Sequence, residues 1–375
     1  MEPMRVGIAG LGRVGRGILR ANHSKFTKGR FDIRAVCDIM PVDQVAYLLA
    51  HDSTYGKPPF TLDFKGNELI LSGKAVHYER VDRRRRPSED SFACLREYEL
   101  DVFIDATGTA SIEDLRAIID WKVAKKVVRT ANVPGCDISL VYGVNDSKYD
   151  HDIHHIMAAN TCTGNALAPV AHILNKHIGI DFARIITLHP ALSDQRALDC
   201  YNPVPQLGRS CAASILPTNT QVAHSTILAL PSLAGKLESL SYRVPTEIVS
   251  AIDVSATLSR DTSLEECIDL FERYAKTELA GIISCDYGSW GHQKASIDYL
   301  GTEYSSIILM KYLLLNNGRH LGLSLMHDNE VAYCCRVLDV LGVINHHAKS
   351  QARKEERRSA KVRPIRDYVN YAQAG

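Results

Sequence analysis

A doubly wound α/β domain, followed by an α+β domain with a mostly antiparallel sheet, is the architecture this sequence predicts. Three observations carry the prediction. A short apolar run, Val6-Gly-Ile-Ala, opens directly into a glycine-rich turn. Apolar runs of strand length then alternate with helical segments through the first half, the pattern of a parallel sheet. From about residue 181 onward, strand-like runs come closely spaced instead. At 375 residues the chain is long for one core, so two units are expected.

The elements follow in order. Val6-Gly-Ile-Ala reads as a buried strand. Gly10-Leu-Gly12-Arg13-Val14-Gly15 reads as a tight turn, and Arg16 to Asn22 as a helix. Ile33 to Cys37 is a second apolar strand ending at Asp38. Leu71 to Arg80, Val102 to Thr107, Lys126 to Thr130 and Leu140 to Gly143 supply further strands. Leu167 to Lys176 reads as a helix. Ala183 to Leu188, Ser239 to Val244 and Ile248 to Leu258 read as strands, and Glu265 to Ala280 as a helix. Helical periodicity returns from Val331 to Val343. The expected division is a nucleotide-binding domain over 1–161, completed by a helix at 329–345, a catalytic domain over 162–328, and a basic tail at 348–375.

Composition narrows the function. A net charge of +1 provides no field that favours nucleic acid or a membrane surface over a small ligand. The N-terminus lacks an apolar signal core, and the longest apolar stretch, near Ser305 to Leu315, is interrupted by Lys311. A cytoplasmic protein is expected, with its ten cysteines reduced and no CxxC pair among them. The tail holds eight Lys or Arg against three Asp or Glu, and Arg83 to Arg86 form a second basic run. Both read as solvated surface; recruitment of a partner through the tail is the alternative. His151, His154 and His155 lack a ligand spacing and read as a solvated turn, so no metal is expected.

The glycine turn has the context that a nucleotide site requires. Gly10 permits the turn, Gly12 admits a pyrophosphate close to the backbone, and Gly15 allows helix to pack on strand. The helix start, with Arg13 and Val14, presents free N–H groups and a positive dipole end to phosphate. Strand, glycine turn, helix, strand and acid together make a Rossmann dinucleotide-binding unit. Asp38 can accept hydrogen bonds from both ribose hydroxyls and would repel a 2′-phosphate, so the expected cofactor is NAD. Thr107 and Gly108, at the end of a later strand, are expected near the nicotinamide-side ribose.

The segment Asn160-Thr-Cys162-Thr-Gly-Asn brings a cysteine to the start of a helix, among small polar neighbours. The helix dipole there is expected to lower the thiol pKa, and free backbone N–H groups can hold an oxyanion. His189, at the end of an apolar run, supplies a base, which makes the pair a thiolate–imidazolium candidate. Taken alone, either residue would be read as structural.

These segments resemble the glyceraldehyde-3-phosphate dehydrogenase superfamily. Its cysteine motif, Ala-Ser-Cys-Thr-Thr-Asn-Cys-Leu-Ala-Pro, is similar to Asn160-Thr-Cys-Thr-Gly-Asn-Ala-Leu-Ala-Pro169. Further resemblance lies in Ala46 to Gly56, Tyr142-Gly-Val-Asn145, Tyr242-Arg-Val-Pro-Thr246 and Asp328-Asn-Glu330. His189-Pro-Ala-Leu-Ser-Asp194-Gln195 most resembles the erythrose-4-phosphate branch, since the glyceraldehyde enzymes usually carry threonines in place of Leu192 and Asp194. The resemblance implies NAD-dependent oxidation of a phosphorylated sugar aldehyde, of erythrose-4-phosphate type, through a Cys162 thiohemiacetal and thioester. Ordinary phosphorylating glyceraldehyde-3-phosphate oxidation and a non-catalytic NAD-binding scaffold are the alternatives. The resemblance also implies that Asn329 orients the nicotinamide amide and that Arg243 binds substrate or phosphate. Thr161, Thr163 and Thr220 match hydroxyls of the anion sites, and Arg209 matches a further arginine. Gln221 and His224 replace residues of the loop that admits phosphate, Gly164 replaces a Thr, and Met326-His327 replaces Trp-Tyr. A homotetramer is implied, with the loop from Tyr201 to Pro217 near the subunit contacts.

Overall fold

The buried run Arg5–Ala9 (β1) is the centre of the first sheet because its side chains are covered on both faces. Gly7 is needed inside it: a Cβ there would lie 2.5 Å from Leu100 Cδ1. The computed structural model describes residues 2–24, 29–82, 92–192 and 194–361. The basic run at Arg83–Arg86 lies outside the described residues.

Around β1, the first domain adds α1 (Arg13–Asn22), β2 (Asp32–Asp38), α2 (Val42–Ala50), β3 (Leu62–Lys65), β4 (Glu68–Leu71) and β5 (Lys74–Arg80). Then follow β6 (Leu100–Asp105), α3 (Ile112–Asp120), β7 (Ala124–Arg129), β8 (Ile138–Ser139) and β9 (Ile156–Ala158). Among the described residues these strands form a nine-stranded sheet in the order β3-β4-β5-β2-β1-β6-β7-β9-β8. From β5 to β8 the pairing is parallel. At the other edge β3, β4 and β5 are antiparallel. The expected single strand from Leu71 to Arg80 is therefore two strands. Ser72 and Gly73 break it, both at positive φ, in a tight turn. The expected strand at Leu140–Gly143 is also absent: Gly143 is left-handed, and the chain turns there to satisfy the side chain of Asn145.

The second domain begins with α4 (Cys162–His177), which starts five residues earlier than periodicity suggests because Thr161 caps it, accepting from the Gly164 N–H at 3.0 Å. Its sheet contains β10 (Ile180–Pro190), β11 (Leu216–Thr218), β12 (Leu237–Val244), β13 (Ser250–Leu258), β14 (Ile283–Asp286), β15 (Ser306–Leu309), β16 (Leu314–Asn316) and β17 (His320–His327). Two helices, α5 (Val222–Ala229) and α6 (Leu264–Lys276), complete it. The sheet order is β11-β12-β10-β13-β17-β15-β14, with β16 on β17. Only β10–β12 and β14–β15 are parallel among the described pairs, so the sheet is mostly antiparallel, as expected. Alternating residues of β10, β13 and β17, such as Ile185, Val254 and Leu323, pack with Leu167, Val170 and Phe271 from α4 and α6 to make the second core.

The last helix, α7 (Val331–Lys361), returns to the first domain. Cys334 Sγ reaches the Val14 carbonyl, and Gly17 leaves it room, since a Cβ there would be 2.7 Å from that sulfur. The helix continues through residues 348–361, so this part of the expected tail is a regular extension of α7. Apart from Ser350 and Ser359, it consists of Ala, Lys, Gln, Arg and Glu, all good helix formers. Residues 362–375 lie outside the described residues. No described helix is long and apolar enough to cross a membrane.

Candidate active site

The nucleotide end is built by three glycines and one carboxylate. A Cβ on Gly10, at φ +85°, would meet the Ala106 and Thr107 backbone at 2.7 Å, and one on Gly15 would collide with the Gly10 carbonyl. A Cβ on Gly12 would meet nothing within 4 Å, so the space above the start of α1 is open. That combination of tight backbone and open cradle fits a pyrophosphate on a helix N-terminus. Asp38 accepts from the Leu11 N–H at 2.5 Å and the Met40 N–H at 3.0 Å, which locks the glycine turn to the end of β2. Its carboxylate thereby shapes the turn. Thr107 Oγ1 donates to Asp105 Oδ1 at 2.7 Å, which fixes the β6 end beside Gly10. Gly108 adopts φ +73°, and a Cβ there would meet nothing within 4 Å.

The side chains of Arg13 and Val14 are both engaged within the protein. The Arg13 guanidinium is held by Glu330 at 2.6 Å and Asp52 at 2.9 Å, which neutralise its charge. Val14 packs against the first core. What the two residues leave at the open cradle is the backbone of the helix start. Asp38→Ala is expected to weaken NAD binding about tenfold or more, the scale of one lost hydrogen bond to a charged group. It should narrow the preference over NADP, read by fluorescence titration with each dinucleotide.

The reaction end forms where α4 begins and β10 ends. Cys162 occupies the first helical position, half-buried against the first core. Its Sγ lies 4.0 Å from His189 Nε2. His189 Nδ1 is 2.9 Å from the Pro190 carbonyl, an oxygen that can only accept. The shorter contact, to a carbonyl that only accepts, assigns the proton to Nδ1 over the longer 3.3 Å approach of Arg243 Nη1, which only donates, and leaves the Nε2 lone pair toward the sulfur. Arg243, paired in register with His189 on the neighbouring β12, places Nη1 3.3 Å from Nδ1 and 3.4 Å from the Pro190 carbonyl. The buried Arg243 Nε has no partner among the described residues, a donor left for an anion.

The expected lowering of the thiol pKa is not what this environment produces. Burial pushes Cys162 up to about 11, and the N–H groups of Thr163 and Cys162 and the Arg243 charge offset only part of that. Burial pushes His189 down to about 4, opposed by its bond to Pro190 and reinforced by Arg243. The resting pair is thus neutral thiol and neutral imidazole rather than thiolate and imidazolium. The helix dipole acts over one turn, whereas desolvation involves every wall of the crevice. Iodoacetamide alkylation of Cys162 in the ligand-free protein is accordingly expected to be slow at pH 7. Its rate should climb about tenfold per pH unit toward pH 11, because the thiolate alone reacts. A plateau already reached near pH 7, in peptide-resolved mass spectrometry, would contradict this.

The residues expected to bind anions lie at the starts of α4 and α5. Thr161 and Thr163 flank Cys162, their Oγ1 atoms 3.5 Å apart. Half-buried Thr220 accepts from the Val222 N–H at 3.3 Å, and exposed Gln221 is the N-cap residue of α5. Leu216, at the start of the strand leading into this segment, pairs with Arg243. Arg209 is not brought to this cluster. Its loop folds on itself through Cys200–Gly208 and Cys211–Arg196 backbone bonds, and the exposed Arg209 side chain pairs with Asp199 at 3.1 Å. Asn329 is buried, its Oδ1 accepting from Ser250 Oγ at 3.3 Å.

Some residues beside the site had no role assigned from sequence. Asp328 accepts from Tyr55 Oη and from the N–H groups of Gly301, Glu330 and Val331, and so sets the entry to α7 beside Asn329. His327 shares a sheet row with Ser250, on the strand next to β13, and its Nε2 has no partner among the described residues. Burial, then the nearby His189, pushes its pKa down to about 3. Asn160 precedes the cysteine turn in a left-handed conformation, φ +58°, and is fully buried. Its left-handed φ leaves only a weak sequence signal, the tolerance of Asn for that region. Among the described residues no cluster of His, Cys, Asp and Glu could hold a metal ion.

Comparison with known proteins agrees with this geometry. Residues 4–112 match the family model described as glyceraldehyde 3-phosphate dehydrogenase, NAD binding domain. Residues 161–329 match that family's C-terminal domain. The chain is 33% identical over 341 residues to a glyceraldehyde-3-phosphate dehydrogenase of Geobacillus stearothermophilus, covering 91% of this chain and 98% of the relative. It is 34% identical over 341 residues, with the same coverage, to one from Kitasatospora aureofaciens. Glyceraldehyde-3-phosphate dehydrogenase 2 of Bacillus subtilis is 32% identical over 340 residues, covering 90% and 96%.

Proposed function

Because the chain belongs to the glyceraldehyde 3-phosphate dehydrogenase family, and is an NAD-dependent oxidoreductase of that kind, we propose that it oxidises a phosphorylated three-carbon aldehyde and releases the product to inorganic phosphate. The observation that carries the reading is the Cys162 Sγ to His189 Nε2 approach of 4.0 Å, with the Nε2 lone pair turned to the thiol. The relatives bear the glyceraldehyde name, which favours this reading over the erythrose-4-phosphate one. The erythrose reading draws on three short segments, His189 to Gln195, Leu198 to Pro203 and Ala251 to Ser255.

The chain's residues support each step. As the sulfur adds to the aldehyde carbon, His189 Nε2 takes the thiol proton, and the Cys162 N–H at the helix start stabilises the oxyanion. The imidazolium then returns the proton to give a neutral thiohemiacetal. In the next step His189 removes the hydroxyl proton while a hydride leaves the same carbon, producing a thioester on Cys162. NAD, when bound in the glycine cradle, supplies the hydride acceptor. Asn329, steadied by Ser250, would orient its amide. Phosphate attack on the thioester carbonyl then forms the acyl phosphate and frees the sulfur. Arg243, Thr161, Thr163 and Thr220 supply the cation and hydroxyls for that anion.

Mixing the protein with NAD and either aldehyde, with and without inorganic phosphate, and following NADH absorbance tests the reading. NADH should form fastest with glyceraldehyde 3-phosphate and should require phosphate for sustained turnover. No NADH with either aldehyde would refute the enzyme reading. Faster, phosphate-independent oxidation of erythrose 4-phosphate would restore the alternative. The exposed Leu198, Tyr201, Val204 and Ile215 in the loop after β10 support a further proposal, a homotetramer that covers them. Sedimentation should return four chains, and a monomer would contradict it.

A further inference from the structure

We infer that Asn160 is a positioning residue that fixes the anion-binding segment Thr220–Gln221 relative to Cys162, and that Gly164 is the space its side chain requires. The inference rests on the phosphate-releasing reading above. Four elements meet at Asn160. Its Nδ2 donates to the Ser225 carbonyl of α5 at 2.9 Å and to Ser139 Oγ of β8 at 3.1 Å. Its Oδ1 accepts from the Thr161 N–H at 2.7 Å, at the start of α4. Its own carbonyl accepts from Tyr333 Oη of α7 at 3.1 Å. Asn132 closes the network, donating to Ser225 Oγ at 3.0 Å and accepting from Ser139 Oγ at 2.8 Å. The Ser225 N–H in turn donates to the Gln221 carbonyl at 2.7 Å. One buried amide therefore runs from the turn that carries Cys162 to the first turn of α5, where the anion segment ends.

Gly164 supplies the second, independent observation. It lies in the first turn of α4 and has no positive φ, so backbone freedom does not explain it. Glycine there costs about 1 kcal/mol of helix stability against alanine. Space explains it: a Cβ at 164 would sit 2.1 Å from Asn160 Oδ1 and 2.8 Å from Ser225 Cβ. In the cysteine motif that this chain resembles, the two positions carry Ala and Thr. The two departures are thus compatible only together, since the Asn160 side chain occupies the space that a side chain at 164 would need.

The test compares Asn160→Gly, Gly164→Thr and the double variant with the unaltered protein. Glycine suits the left-handed backbone, so Asn160→Gly removes the amide without adding strain. Two readouts are taken: the phosphate concentration at half-maximal rate against kcat, and the protection of Cys162 by inorganic phosphate from iodoacetamide, resolved at the peptide. Asn160→Gly should raise both phosphate requirements at least about fivefold, the scale of lost buried hydrogen bonds. NAD affinity and kcat at saturating phosphate should change less than about twofold, a split that a general loss of stability does not produce. Gly164→Thr should be worse alone, and its cost should shrink in the Asn160→Gly background to the part imposed by the Ser225 contact. If Asn160→Gly does not fold, as judged by its melting curve, Asn160→Asp serves, since it keeps the acceptor for Thr161 but cannot donate to Ser225. An unchanged phosphate requirement would overturn the inference, as would a Gly164→Thr effect equally large in both backgrounds. If the unaltered protein makes no NADH the dehydrogenase reading fails, and phosphate protection of Cys162 still tests the role of Asn160.

Discussion

Cys162→Ala should lower turnover by at least about 10⁴-fold, the scale seen when a covalent nucleophile is removed, while leaving NAD binding nearly unchanged. The sulfur is the one group placed both on the free N–H groups of α4 and within 4.0 Å of the His189 lone pair. Nothing else among the described residues of the crevice can form a thioester. The cradle at Gly10, Gly12 and Gly15 is built by β1, α1 and the β6 end, and none of its close contacts passes through the Cys162 side chain. Steady-state NADH formation and a separate NAD titration check the two halves of this expectation. Retained turnover would remove Cys162 from the mechanism.

His189→Gln should cost about 10²–10⁴-fold in kcat, the range for a lost general base. The effect should be large here because the resting thiol is protonated. With Cys162 pushed up to about 11 by burial, little thiolate exists at neutral pH, so attack needs a base at the sulfur. His189, pushed down to about 4, is neutral and ready across the range from pH 6 to 8. The sign of the pH dependence follows. In the unaltered protein the base is fully available above the His189 pKa, so kcat/KM should be nearly flat from pH 6 to 8 and fall only as acid protonates the imidazole. In His189→Gln the rate depends on spontaneous thiolate, and should rise about tenfold per pH unit over the same range. Paired pH–rate profiles check this, and parallel profiles would contradict it.

Much of the frame was legible in sequence for a physical reason. The run Val6-Gly-Ile-Ala, the glycines after it and Asp38 are legible because they follow one another in a single strand, turn, helix and strand, although Asp38 bonds Leu11 and Gly10 packs on Ala106. Cys162 and His189 were legible as a pair once a helix start and a strand end were recognised. What stayed hidden depends on distant parts of the chain. Ser72 and Gly73 split a strand that alternation alone joins. Thr161 starts α4 at the cysteine itself, a cap that apolar periodicity cannot register. The thiol pKa moves upward because walls from several elements exclude water, whereas the helix start pointed the other way. Arg209 turned outward to Asp199 because its loop closes on itself. Arg13 is taken up by Glu330 and Asp52, which lie 317 and 39 residues away. Asn160 looked like one more polar residue before the cysteine, and its meaning comes from Ser139, Ser225 and Tyr333, none of which is a sequence neighbour.

The central claim is a covalent bond between the substrate carbon and the Cys162 sulfur, and trapping that bond tests it most directly. The protein is mixed with NAD and glyceraldehyde 3-phosphate without inorganic phosphate, quenched in acid within the first turnover, and digested for peptide mass spectrometry. The account predicts an acyl adduct on the peptide containing Cys162, which disappears when phosphate is supplied before the quench. NADH formed with no adduct on that peptide, or an adduct on another cysteine, would contradict it.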